Sequence, residues 1–188
     1  ANQGTEKTEE VLKVVRDFLE TKKWNIKVHG LGMGGWKNIP LLIKYDIDTC
    51  DVATPWRRSC TDSISNFYIP LFDEKLNIIQ NEKAFQYFDI YNTELDNIEC
   101  NCPFCKDMHF KELRKIYKKA DKGKNGKAQH DNDYYKMRVR VFYHNVFQHI
   151  ALLNKLFEYK QKYGQEFLKK FSGELPKGKV KNYFEKLI

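Results

Sequence analysis

Glu99-Cys100-Asn101-Cys102-Pro103-Phe104-Cys105, with Tyr143-His144-Asn145-Val146 further along the chain, is the stretch around which the rest of the sequence can be read. Three thiolates and one imidazole are what a closed tetrahedral zinc site requires. Cys100 and Cys102 are one residue apart and can chelate from an extended or knuckle-like turn, which Pro103 helps to fix. Four histidines are candidates for the fourth ligand: His109, His130, His144 and His149. His109 is too near the cysteines to close a long loop, and His130 falls in a polar loop. His144 and His149 are five apart on one expected helix and do not share a face well. His144 is preferred, because its helix would close residues 106–143 onto the cysteine turn. A site with four protein ligands has no open position and is structural. The competing reading is a set of buried free thiols.

The chain has 188 residues, 41% of them hydrophobic and 14% aromatic, enough to fill the core of one domain or one large piece of a bigger one. No apolar run approaches the roughly 18 residues of a transmembrane helix, so no membrane role is expected. The opening Ala1-Asn2-Gln3-Gly4 shows no basic or apolar leader region. Five cysteines, an odd count without a secretory signal, fit a reducing compartment and a metal better than disulfides, so a cytoplasmic location is expected. The formal charge is +8. Much of the excess follows position 106: Lys118-Lys119, Lys122, Lys124, Lys127, Lys136, Arg138 and Arg140. Such a balance favours a polyanion partner through counterion release, with a solvated lysine-rich face as the alternative.

Working outward, residues 8–21 carry a helical stripe of Val11, Leu12, Val15, Phe18 and Leu19, with Thr8 as cap. Ile26-Lys27-Val28-His29 predicts a short strand ending in the glycine turn Gly30-Leu31-Gly32-Met33-Gly34-Gly35. Asn38-Ile39-Pro40 starts a second helix, and a strand follows near Ile47–Asp51. This is the strand–helix–strand–helix–strand rhythm of parallel α/β architecture, or its tail. Short strands are expected at 67–69, 76–79 and 87–90. A helix is expected over 110–119, a polar loop over 121–133 and a long helix over 134–159. Short helical segments near 165–171 and 183–188 finish the chain.

Asp48 and Asp51 stand three residues apart at the end of a predicted parallel strand, where barrel enzymes place their chemistry. A carboxylate there can act as a nucleophile or base. Aspartate at a strand end is also a common turn former or helix cap. The glycine turn lacks the G-x-G-x-x-G order and the acidic partner of a dinucleotide site. It can let backbone approach a phosphate or base, or be only a tight β–α turn.

Together these segments resemble the C-terminal half of the tRNA-guanine transglycosylase family. Gly30-Leu31-Gly32-Met33-Gly34 looks like that family's glycine turn, and Asp46-Ile47-Asp48-Thr49-Cys50-Asp51 looks like its G-[IV]-D-x-F-D segment. Pro55 and Arg57 fall where bacterial members carry a proline and first arginine, and Cys100, Cys102, Cys105 and His144-Asn145 match the zinc signature. The resemblance spans roughly residues 25–155. It departs at Asp46 for glycine, Cys50 for phenylalanine, Cys60 for a second arginine, and in the enlarged loop 121–133. The form His29-Gly30-Leu31-Gly32 is similar to the branch that inserts 7-deazaguanines into DNA.

The resemblance implies an α/β fold: the C-terminal part of a (β/α)8 TIM barrel with an inserted zinc-binding subdomain and long C-terminal helices. It divides the chain into a partial barrel segment with the nucleophile strand, 1–98, a zinc-binding subdomain, 99–160, and a helical tail, 161–188. It implies base exchange in tRNA or DNA, with Asp51 as the covalent nucleophile and Asp48 supporting it. Arg57, Arg58, Lys118 and Lys119 are the expected nucleic-acid contacts, and Zn2+ is held by Cys100, Cys102, Cys105 and His144. The family's base-reading residues lie in the other half of its barrel. A complementary N-terminal half, a partner chain or a homo-oligomer is therefore expected, because a half-barrel leaves open sheet edges. The alternative is a non-catalytic, zinc-stabilised accessory subunit that binds nucleic acid or dimerises.

Overall fold

A computed structural model describes residues 4–60, 66–107, 109–121 and 132–188. The chain forms two compact units, neither of them continuous in sequence. The first takes Ala1–Thr54, Leu152–Leu175 and Lys181–Ile188; the second takes Pro55–Ala151 and Pro176–Val180. One 32-residue helix contributes residues to both.

In the first unit, helix α1 runs over Thr5–Lys22. Glu6 in its first turn and Lys22 in its last suit the helix dipole. It ends at Lys23, whose backbone is left-handed at φ 54° and whose N–H returns to Glu20 O at 3.0 Å. Thr8, expected as the cap, lies inside the helix, and Gly4 takes the cap position. Of the expected stripe, Leu12 and Leu19 are buried, two turns apart, whereas Val11 and Phe18 are exposed. Strand β1, His29–Gly30, and strand β2, Thr49–Cys50, pair in parallel, with His29 opposite Thr49 and Gly30 opposite Cys50. Between them lies α2, Ile39–Lys44, with Pro40 tolerated in its first turn and Ile39, Leu41, Leu42 and Ile43 buried. This is the expected strand–helix–strand unit, shortened to two residues per strand. Lys160 Nζ bonds Asp46 Oδ1 at 2.6 Å, in the turn between α2 and β2. Helix α6, Phe167–Glu174, brings Phe171 to within 5.4 Å of Tyr159 and 5.0 Å of Phe184.

In the second unit, α3 (Thr54–Cys60) leads towards β3, Asn66–Tyr68. Strand β3 pairs antiparallel with β4, Tyr87–Asp89, in the register Phe67 opposite Phe88. Among the described residues β3 therefore does not extend the parallel pair, and no closed barrel is present. The strand expected over 76–79 is reduced to one bridge, Phe72 with Ile78. Asp73 explains this: its Oδ1 accepts from Lys75 N and Asn77 N, both at 2.8 Å, curling the chain into a turn. Helix α4 covers Phe110–Asp121 and α5 covers Asn132–Tyr163. The last helix, α7, covers Lys179–Glu185. Before it, Gly178 sits at φ +141°, and a Cβ there would lie 2.0 Å from Glu82 O. Only glycine fits that approach. Among the described residues no helix is long and apolar enough to cross a membrane.

Helix α5 is fastened to residues 66–72 by buried amides. Asn145 Oδ1 accepts from Tyr68 N at 3.0 Å, and its Nδ2 donates to Ser59 Oγ and Asn66 O. Gln148 Oε1 accepts from Leu71 N and Phe72 N at 2.9 and 3.0 Å, while its Nε2 donates to Phe72 O at 2.9 Å. Gln148 thus satisfies three backbone groups that edge pairing leaves open. Gln148→Leu strands all three and is expected to cost about 3 kcal/mol or more in chemical denaturation. A loss well under about 1 kcal/mol would show that the amide bonds are not what holds the strand.

Candidate functional site

The cysteine turn is built by its own backbone. Cys102 O accepts from Cys105 N at 3.0 Å and Lys106 N at 3.2 Å, which turns all three sulfurs to one side. His144 comes from the first half of α5, which starts at Asn132. Its Nδ1 lies 3.5 Å from Cys100 Sγ, 3.4 Å from Cys102 Sγ and 3.2 Å from Cys105 Sγ. The four ligand atoms all lie within 4.8 Å of one another. A tetrahedral ion with ordinary Zn–S and Zn–N bonds sets sulfur and nitrogen about 3.6 Å apart, close to what is found. Cys102, Cys105 and His144 are buried.

The surroundings choose the tautomer. His144 Nε2 donates to Tyr68 O at 2.9 Å, leaving Nδ1 bare towards the sulfurs, as a metal-ligating imidazole requires. Phe67 stacks on the ring at 3.9 Å and packs edge-on to Phe110 at 4.9 Å, so apolar walls close the centre. The thiols cannot ionise independently. Hydrogen bonds from Cys100 and then Cys105 hold Cys102 far below the usual thiol range, while contacts with Cys100 and Cys102 push Cys105 far above it. Three thiols packed this way want a cation. The donor set is a buried Cys3His group able to hold a metal ion.

The other histidines have other places. His109 is exposed, and its carbonyl receives the first amides of α4. His130 lies outside the described residues. His149 is buried, and its Nδ1 bonds Asn145 O at 3.0 Å. Burial lowers its pKa to about 4. Between about pH 6.5 and 4 the unfolded chain therefore binds a proton that the folded chain refuses, so stability falls as pH falls through that window. The expected loss is about 3 kcal/mol. The metal ligands also take up protons there. The check is the difference between wild type and His149→Phe, whose denaturation free energy should be flatter over that range. Parallel pH profiles would exclude a neutral buried His149.

The second site is the C-terminal rim of the parallel pair. Asp48 Oδ2 accepts from Val28 N at 2.8 Å, fastening β2 to the start of β1. Gly32 N–H donates to Asp51 Oδ1, and Gly34 N donates to Asp51 O at 2.9 Å. A Cβ on Gly34 would lie 2.4 Å from Asp51 O, so the glycine is what lets the two loops meet. His29 joins the group: its Nδ1 is 2.9 Å from Thr49 Oγ1 and its Nε2 is 3.7 Å from Asp51 Oδ1. Cys50, beside Asp51, is exposed; burial of its thiol, and then the Asp51 charge, push its pKa up.

The chain matches no protein-family model, no curated protein and no solved structure.

The two sites therefore stand on geometry alone. Arg57 is exposed on α3, in the second unit, and Lys118 is exposed on α4; the side chains of Arg58, Cys60 and Lys119 lie outside the described residues. Not every cation of the basic half faces solvent. Arg138 is buried, with its guanidinium 5.3 Å from the Tyr134 ring centroid, and Arg114 pairs with Asp96. Both serve packing. The sequence reading missed His29, whose place opposite Thr49 emerges only from the strand register. It also missed Gln148, although a glutamine between His144 and Ile150 on an apolar helix was a visible signal.

Proposed function

We propose that this chain is the nucleophile- and zinc-bearing part of a transglycosylase that exchanges guanine for a 7-deazaguanine in tRNA or DNA. The observation that supports it best is Asp51: a half-exposed carboxylate at the C-terminal ends of parallel strands, held by one oxygen against a glycine turn. Strand C-termini are where barrel enzymes place catalytic groups. In this reading one oxygen of Asp51 attacks C1′ of a guanosine. The C1′–N9 bond breaks, and its electron pair leaves with guanine, which takes up a proton. The glycosyl–aspartate ester then yields to N9 of the incoming 7-deazaguanine, which loses its proton, and the carboxylate is freed. Splitting one substitution into two through a covalent ester is what a carboxylate does well at an oxocarbenium-like carbon. Asp48, engaged with Val28 N, orients the backbone.

Zinc is the ion this donor set suits, and Cys100, Cys102, Cys105 and His144 would hold it in a closed, structural site. The reading places the parallel pair in the C-terminal part of a (β/α)8 barrel in a cytoplasmic enzyme. It calls for a complementary half, partner chain or second copy. In support, Val11, Val14, Phe18, Trp24 and Ile26 are exposed in the first unit, and among the described residues no third strand joins its two-strand sheet. Asp51→Asn in the assembled enzyme, read by a covalent nucleic-acid adduct, tests the reading.

The second reading is a non-catalytic accessory subunit that binds nucleic acid. Lys111, Lys115 and Lys118 favour it: they are exposed and spaced to share one face of α4, beside the metal centre. Both readings expect the segment from Lys106 to Arg140 to meet a phosphate backbone. Changing these three lysines to Gln should weaken binding and lower the slope of log K against log salt by about 0.9 for each duplex phosphate no longer neutralised. Affinity that stays flat between low and moderate salt would make this only a solvated face. An adduct that Asp51→Asn abolishes separates the enzyme from the accessory subunit.

A further inference from the structure

We propose that His29 is a positioning residue for Asp51, selecting which carboxylate oxygen faces outward to react. The proposal rests on the base-exchange reading for its catalytic consequence. Asp51 Oδ1 has two neighbours, the N–H of Gly32 and, at 3.7 Å, Nε2 of His29. That distance is longer than a hydrogen bond, so Nε2 packs beside Oδ1 without bonding it. Among the described residues no hydrogen bond is found to Oδ2. Thr49 Oγ1, 2.9 Å from His29 Nδ1, fixes the ring from behind. A hydroxyl that donates to Nδ1 leaves the proton on Nε2, the nitrogen facing Asp51. The strand register makes this arrangement rigid: His29 is directly opposite Thr49 in the parallel pair, and Gly34 N grips the Asp51 carbonyl from the same turn.

The consequence is chemical. A carboxylate free to rotate presents either oxygen in many directions. One whose Oδ1 is held by the Gly32 N–H and flanked on its other side by the His29 ring presents Oδ2 in one direction, which is the orientation a displacement at carbon needs. His29 and Asp51 are each about half exposed, so a nucleotide can reach the pair without a structural rearrangement. His29 would touch neither sugar nor base; it acts through Asp51.

The test has a spectroscopic arm and a kinetic arm. In the full chain, the Gly32 amide proton reports the bond to Oδ1. His29→Ala should move its NMR resonance, His29→Gln, which returns an N–H to similar reach, should restore most of the shift, and Thr49→Val should act in the same direction as His29→Ala but less. The kinetic arm uses the complex isolated with this chain from its own cells, probed with unfractionated tRNA and with genomic DNA. His29→Ala should slow adduct formation at saturating nucleic acid about tenfold to a hundredfold, with KM unchanged and with recovery in His29→Gln. A Gly32 resonance that does not move in His29→Ala overturns the proposal. So does a resonance that moves while the adduct rate stays at the wild-type value. If wild type and Asp51→Asn alike form no adduct, the base-exchange reading itself fails, and a catalytic role for His29 falls with it. That result is recognisable because it does not depend on His29.

Discussion

Stripping the metal is expected to unfold the unit that holds it. Metal analysis should find one zinc per chain, and a strong chelator should abolish the cooperative melt of residues 66–107 and the first half of α5. The reason is the size of the coupling. Structural zinc binding is worth about 10–16 kcal/mol in small sites, as much as the whole stability of an ordinary domain. Here the ligand that closes the site, His144, also holds Tyr68 O and stacks on Phe67, and these residues form β3. Cys102 and Cys105 are themselves members of the apolar cluster with Ile69, Ile90, Leu95 and Leu113. Without a cation, the thiolate charge that the site gathers at that cluster is left buried and unpaired, so burial that stabilises the loaded site works against the empty one. Cys102→Ser and His144→Ala should reproduce the chelator effect, while His109→Ala should be near neutral because His109 is exposed. Amide exchange offers the check. Protection at Phe67–Ile69 and Cys105 that survives complete metal removal would rule out a folding role for the centre.

The metal centre was the most legible part of the chain, and the reason is chemical. Cysteines two and three positions apart in a chain with five of them form a local pattern, and the long-range partner had only four candidates. The helices were legible where one face is buried over several turns, as for α5. The parallel pair was legible in order but not in extent. The expected strand of 26–29 shrinks to His29–Gly30 because Val28 O is shared between Asp48 N and Thr49 N, so regular pairing starts late. What the sequence could not carry is long-range side-chain pairing with backbone. Asn145 and Gln148 read as ordinary polar residues on a helix, yet both are buried and hold residues 66–72. Arg138 counted towards the basic half by charge alone, yet it is buried along the Tyr134 ring. Charge counts cannot separate a cation facing solvent from one lying along an aromatic ring. The outward turn of Val11 and Phe18 was hidden too, because a stripe five apolar residues wide is more than one neighbouring helix can cover.

Under the proposed base-exchange reading, Asp51→Asn is expected to abolish exchange while leaving the fold and zinc content unchanged. The amide keeps the shape of the side chain, and its oxygen can still accept from Gly32 N, so the turn should hold. What it loses is the negative charge and the nucleophilic lone pair that would form the ester in the proposed reaction. The loss should be on the order of 10⁵-fold or more, the scale seen when a covalent nucleophile is removed outright. Denaturing gels of the assembled enzyme with guanine-containing nucleic acid, before any 7-deazaguanine is added to discharge the ester, should show a covalent band for wild type and none for the variant. Asp48 makes the control informative. Its Oδ2 is occupied by Val28 N, so it holds the strand rather than the substrate. Asn at 48 can still accept that hydrogen bond, and the expected result is a slower reaction with the adduct still formed. Asp48→Ala, which cannot accept it, should lose more activity together with some stability. If Asp51→Asn still exchanged bases and Asp48→Asn lost the adduct, the two carboxylates would have the opposite roles. The glycine turn would then be holding the wrong residue for chemistry at C1′.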